Sequence, residues 1–163
     1  MYVAQMEFGE VILSMEESLA NLVDEGPEPH PIRRVHQGEP LMFEDAYPAL
    51  VVSHREATDG DGGGSNEVLL PSRLLYNVSA YYPVYELSEE DGLIKARNES
   101  LMCFSAFHTA FMRNMHTLAQ GGIVSIDTSP IRAGASDNQG VPFFNEKGEN
   151  LFSYMWELTL LIH

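Results

Sequence analysis

The clearest pattern lies at the C-terminal end. From Leu151 to Ile162, Phe152, Tyr154, Trp156, Leu158, Leu160 and Ile162 all fall on one face of an extended chain. Ser153, Glu157 and Thr159 share the other face with Leu151, Met155 and Leu161. A period of two held this long predicts a strand of about 40 Å. Near the N-terminus the period changes. Phe8, Val11, Ile12, Met15, Leu19, Leu22 and Val23 recur at spacings of three and four, which predicts an amphipathic helix over 6–23. Glu7, Glu10, Glu16 and Glu17 fall mostly off its stripe, and Gly26-Pro27 ends it.

Between these segments the pattern alternates in kind. Residues 24–46 carry four prolines and little periodicity, and read as a long ordered connection. Tyr47–His54 is a short β-branched run and predicts a strand. Residues 57–66, ATDGDGGGSN, read as a loop. A second strand follows over about Ser72–Leu87, where Leu74, Tyr76, Val78, Ala80 and Tyr82 alternate with Asn77, Ser79 and Tyr81, and Pro83 bends or interrupts it or sits at a sheet edge. The two strands form an antiparallel pair about the glycine-rich loop. Ser88 and the acids after it predict a helix start, because a serine caps free N–H groups and acids favour the positive dipole end. That helix is expected to reach about Ala119, burying Leu101, Phe104, Phe107 or His108, Phe111, Met115 and Leu118. Ile123–Arg132 reads as a third strand and 133–150 as a polar loop.

The expected fold is therefore α+β, one domain over 1–163 with long loops at 24–46, 56–71 and 133–150. An antiparallel sheet of about four strands carries two main helices on one face, in the order α-β-β-α-β-β.

Charge narrows the class of partner. The chain has 24 acids against 9 lysines and arginines, a formal charge of −15. That field repels phosphate backbones and anionic lipid. No apolar run approaches the roughly 20 residues of a membrane span, and MYVAQMEFGE does not start like a secretory signal. The single cysteine, Cys103, excludes an internal disulfide.

The chemical motifs are sparse. Asp59-Gly60-Asp61-Gly62 suggests a calcium loop, but Gly63 and Leu70 stand where an oxygen ligand and a bidentate acid belong. The glycines lack the lysine of a phosphate loop. The histidines, at 30, 36, 54, 108, 116 and 163, include no pair at metal-ligand helical spacing. Cys103 has no local base, since His108 lies about 140° round the helix. The expectation is a protein that is not an enzyme and carries neither cofactor nor metal.

The order of elements resembles the tail terminator proteins of long-tailed bacteriophages. The resemblance rests on the amphipathic N-terminal helix, the acidic passage Phe43-Glu44-Asp45-Ala46-Tyr47-Pro48-Ala49-Leu50-Val51-Val52, the strand Leu74–Tyr82, the helix of about Leu93–Ala119 and the strands Ile123–Arg132 and Leu151–Ile162. It implies a structural virion protein that closes into a ring, most often sixfold. Such a ring caps the tail tube, stops its polymerisation and meets the head connector, while DNA passes through the lumen without binding. The implied partners are other copies of the chain, the tail tube protein and the head–tail connector. The candidates for these contacts are Asp59, Asp61, Glu67, Tyr81, Tyr82, Tyr85, Met155 and Glu157. The last strand would offer an edge for extending the sheet into a neighbour. The alternatives are another neck connector and, in a different class, a small acidic ligand-binding or adaptor domain.

Overall fold

A computed structural model of the chain describes residues 8–27, 29–59, 71–84, 89–118, 126–128, 133–136 and 143–162. Helix α1 (Phe8–Ala20) is followed by strands β1 (Arg34–Gln37), β2 (Ala49–Asp59) and β3 (Pro71–Pro83). Helix α2 (Glu89–Asn114) runs into a 3-10 turn at Met115–Leu118. Strands β4 (Ile126–Thr128), β5 (Ala133–Ser136), β6 (Phe143–Phe144) and β7 (Asn150–Ile162) complete the order. The class is α+β, and both helices lie on one face of one sheet.

The sheet runs β1-β2-β3-β7-β4, with β5 and β6 also paired to β7. β2 and β3 are the expected antiparallel pair, with Val52 opposite Val78. The sheet is mixed, not purely antiparallel, because β1 runs parallel to β2, with Val35 opposite Leu50. β1 falls inside 24–46, which the sequence read only as a connection. β5 and β6 fall inside 133–150, read as a loop. β2 also runs on to Asp59, five residues beyond its expected end at His54, so 57–59 is strand. Residues 60–66 of the expected loop, Ser88, and 123–125 and 129–132 of the expected third strand lie outside the described residues.

The last strand is not an edge. Leu151–Leu161 pair with β3 along one side. β6, β5 and β4 pair with successive stretches of the other side. Sheet extension through β7 is therefore ruled out. On β1, the Glu25 carboxylate accepts the Val35 N–H at 2.8 Å.

The helix-side core joins Val11, Met15 and Leu19 of α1 to Phe107 and Phe111 of α2 over Leu50, Val52, Tyr76, Val78, Trp156, Leu158 and Leu160. This is the face assigned to β7 from its alternation. On α2 and the turn after it, Phe107, Phe111 and Leu118 are buried as expected, but towards the N-terminal half the fully buried residues are Ala96, Ser100 and Cys103, whereas Leu101 and Phe104 are half-buried. Glu16 is also buried, on the stripe and not off it. A second, smaller core lies on the opposite face at one end of the sheet. Phe43, Tyr47, Ala49, Val51 and Leu151 form it, with Tyr81 and Tyr82 packed against it.

Candidate functional site

The described residues concentrate their unusual features around the loop 38–48. Gly38, with φ of 79°, turns the chain out of β1. Phe43 then returns to the second core. Its ring lies 5.5 Å from His36, 5.7 Å from Tyr47 and 5.3 Å from Tyr81. The next two residues, Glu44 and Asp45, both have positive φ, 56° and 57°. The Ala46 N–H closes the turn on the Phe43 carbonyl at 3.2 Å. Two left-handed central residues define a type I′ turn, which ordinarily takes asparagine and glycine. The Tyr47–Pro48 peptide bond that follows is cis.

The turn between β6 and β7 holds this loop. The Glu146 carboxylate accepts the Phe43 N–H at 3.1 Å and the Glu44 N–H at 3.0 Å. Backbone N–H groups, its own first and then that of Phe43, keep the Glu146 carboxyl below its ordinary range. Lys147 pairs with Asp45. Asn145, itself buried, donates to the Tyr47 hydroxyl at 2.9 Å and accepts from the Lys147 and Glu149 N–H groups. The result is a fixed loop whose tip is apolar. Leu41 is fully exposed at 100%, Met42 is 56% exposed, and Phe144 of β6 is 53% exposed.

Behind Tyr47, on the helix side, an open cleft of about 540 Å³ is lined by Pro29, Pro31, Pro48, Tyr82, Lys95 and Met102, with His30 and Glu99. The Lys95 ammonium sits 6.0 Å from the centre of the Tyr82 ring. Such a cleft suits an apolar group. Its ionisable lining residues are His30, Lys95 and Glu99. Among the described residues there is no cluster of three or more histidine, cysteine or acidic side chains that could hold a metal. No described helix is long and apolar enough to cross a membrane. Cys103 is buried in the core, and burial pushes its thiol up to about 12.

The contact candidates do not converge. Tyr81, Met155 and Glu157 share the sheet face away from the helices, through the pairs Ser79–Met155 and Asn77–Glu157. Tyr81 is half-buried against Phe43, and burial, with the charge of Glu39 second, raises its phenol above the ordinary range. Met155 is half-buried and Glu157 exposed. Tyr82 packs at the margin of the second core and also lines the cleft. Asp59 ends β2 at the far end of the β2–β3 pair. Asp61, Glu67 and Tyr85 lie outside the described residues. Sequence reading missed Leu41, Met42, Phe144 and the Glu146 clamp. The available signal was the adjacent apolar pair in an otherwise polar, proline-bounded stretch.

No protein-family model matches the chain, and no curated protein matches it.

Proposed function

We propose that the protein is a structural, ring-forming subunit of a bacteriophage tail neck, a tail terminator. It closes, as a hexamer, on the head-proximal end of the tail tube and joins it to the head connector in the virion. The observation that carries this reading is the two-layer build in its order. A leading amphipathic helix, an acidic turn running through a proline into β2, a long β3, a long α2 and a final long strand match the layout that the resemblance implies. The charge of −15 supports it, because a negative lumen lets DNA pass without adhering. With β7 interior, the ring contacts in this reading do not run through an edge of the last strand. The test is co-expression with tail tube protein, followed by electron microscopy. Tubes capped by a ring and arrested in length are expected. Tubes of unchanged length, with the protein monomeric beside them, would overturn the reading.

The cleft favours a second reading, a small acidic ligand-binding domain. Its lining of two tyrosines, three prolines and Met102 provides an apolar seat of a volume usual for ligands. Tight binding of a small apolar compound that Tyr82→Ala abolishes, with no effect of the protein on tubes, would select it.

A further inference from the structure

Single exposed apolar residues are ordinary on a protein surface and need no explanation. The tip of the 38–48 loop differs in three respects. Leu41 and Met42 are adjacent, and Phe144 stands on the turn-bearing hairpin that Glu146 ties to the same loop. The loop is fixed at its base by the buried Phe43, so its tip is presented and not free to fold back. It also keeps two non-glycine residues in left-handed backbone at Glu44 and Asp45, a conformation that sterics disfavour. The surroundings are acidic: Glu39, Glu44, Asp45 and Glu146 are exposed on the loop and the turn that holds it, and Lys147 beside them is paired with Asp45.

We propose that Leu41 and Met42, with Phe144, form a docking surface for another protein whose contact surface is an apolar pocket ringed by lysine or arginine. The apolar tip supplies the buried centre, and the acidic rim meets the cationic rim. The charge selects among occupants. A second copy would bring the same acids against each other within a chain already at −15, and like charges at close range oppose contact. Anionic lipid and nucleic acid are repelled for the same reason. The surface does not depend on ring formation.

The probe is a short synthetic amphipathic helix with a leucine stripe flanked by lysines, compared with the same stripe flanked by glutamates. Amide chemical shifts of the full chain report the site. The lysine peptide should shift residues of 39–46 and 143–149, and added salt should weaken it. Leu41→Ser with Met42→Ser should weaken binding about tenfold or more, as expected for a central apolar anchor. Both side chains are exposed, so an unchanged melting curve accompanies that loss. Glu39→Gln with Glu44→Gln should weaken binding and flatten its salt dependence. No binding of the lysine peptide, equal binding of the glutamate peptide, shifts centred elsewhere, or full binding by the Leu41→Ser, Met42→Ser variant would overturn the proposal. So would reversible self-association in sedimentation that the same variant abolishes, because the occupant would then be a second copy.

Discussion

The buried Glu16 carboxylate on α1 accepts the backbone N–H of His54 at 2.9 Å. β1 pairs with β2 as far as Gln37 opposite Val52, and the Gly38 N–H still reaches the Val52 carbonyl at 2.7 Å. The next donor on that side of β2 is His54. A helix side chain thus continues a ladder that the short β1 cannot, just before the register shift between His54 and Glu56.

Removing this acceptor leaves a partly buried N–H unsatisfied. Glu16→Ala should cost about 1–3 kcal/mol. Glu16→Gln keeps an acceptor oxygen and should cost markedly less. Urea midpoints for the two variants decide. Equal losses would mean that packing, not the hydrogen bond, accounts for the effect of Glu16.

Trp156 is 1% exposed. Its ring lies 5.2 Å from Phe111, 5.6 Å from His108 and 5.8 Å from Phe104. Trp156→Ala should destabilise by about 3–5 kcal/mol, as a large-to-small change at a packed site. A melting temperature near that of the parent would show that the α2–β7 contact is not the centre of the core.

These two sites differ in how readable they were. The helix-facing side of β7 was visible because period-two alternation over Trp156, Leu158, Leu160 and Ile162 has one physical cause, a buried sheet face. The helix stripe of α1 was visible for the analogous reason. β1 was not, because Arg34–Gln37 has no alternation long enough to register and gains its strand conformation from parallel pairing with residues 49–52. β5 and β6 are shorter or weaker still, so the interior position of β7 could not be foreseen. The roles of Glu16 and Glu146 are side-chain-to-backbone bonds across 38 and 103 residues of sequence, a separation at which spacing carries no information. The burial of Ala96, Ser100 and Cys103 on α2 was hidden because such small side chains do not stand out as hydrophobic in the pattern.

Glu44 has a φ of 56° and an exposed side chain. Left-handed backbone costs a non-glycine residue roughly 1–2 kcal/mol, and glycine escapes that cost but loses more entropy on folding. Glu44→Gly should therefore raise stability by about 0.5–1 kcal/mol, whereas Glu44→Ala should not. Denaturant unfolding of the pair checks this. A glycine variant no more stable than the alanine one would mean that the turn is not left-handed in solution.

Cys103 is fully buried and its thiol is pushed up to about 12, so thiolate is scarce at neutral pH. A thiol reagent should modify the native protein only as fast as it opens, and should titrate one thiol in denaturant. Rapid native reaction would place Cys103 at an accessible surface.

Acid should loosen the 38–48 loop in two stages. The His36 ring meets Phe43 edge-on at 5.5 Å, and its Nε2 is buried without a hydrogen-bond partner among the described residues. Burial first and Arg34 second hold the His36 pKa below 6.5, against the opposing charges of Glu25, Glu44 and Glu146. The folded protein thus binds this proton less readily than the unfolded chain. Its contribution is complete above 6.5 and is lost as pH falls through the window beneath that value. The Glu146 carboxyl is also lowered, from 4.5, by the N–H groups it accepts, so its contribution holds above 4.5 and is lost below it. Both signs point the same way, with His36 titrating first. Urea midpoints across a pH series should fall in the upper window for the parent and stay flatter there for His36→Gln. Glu146→Gln should flatten the lower slope and keep or steepen the upper one, since the Glu146 charge opposes the lowering at His36. An unchanged upper slope in His36→Gln would assign that window to another group and free the loop from His36.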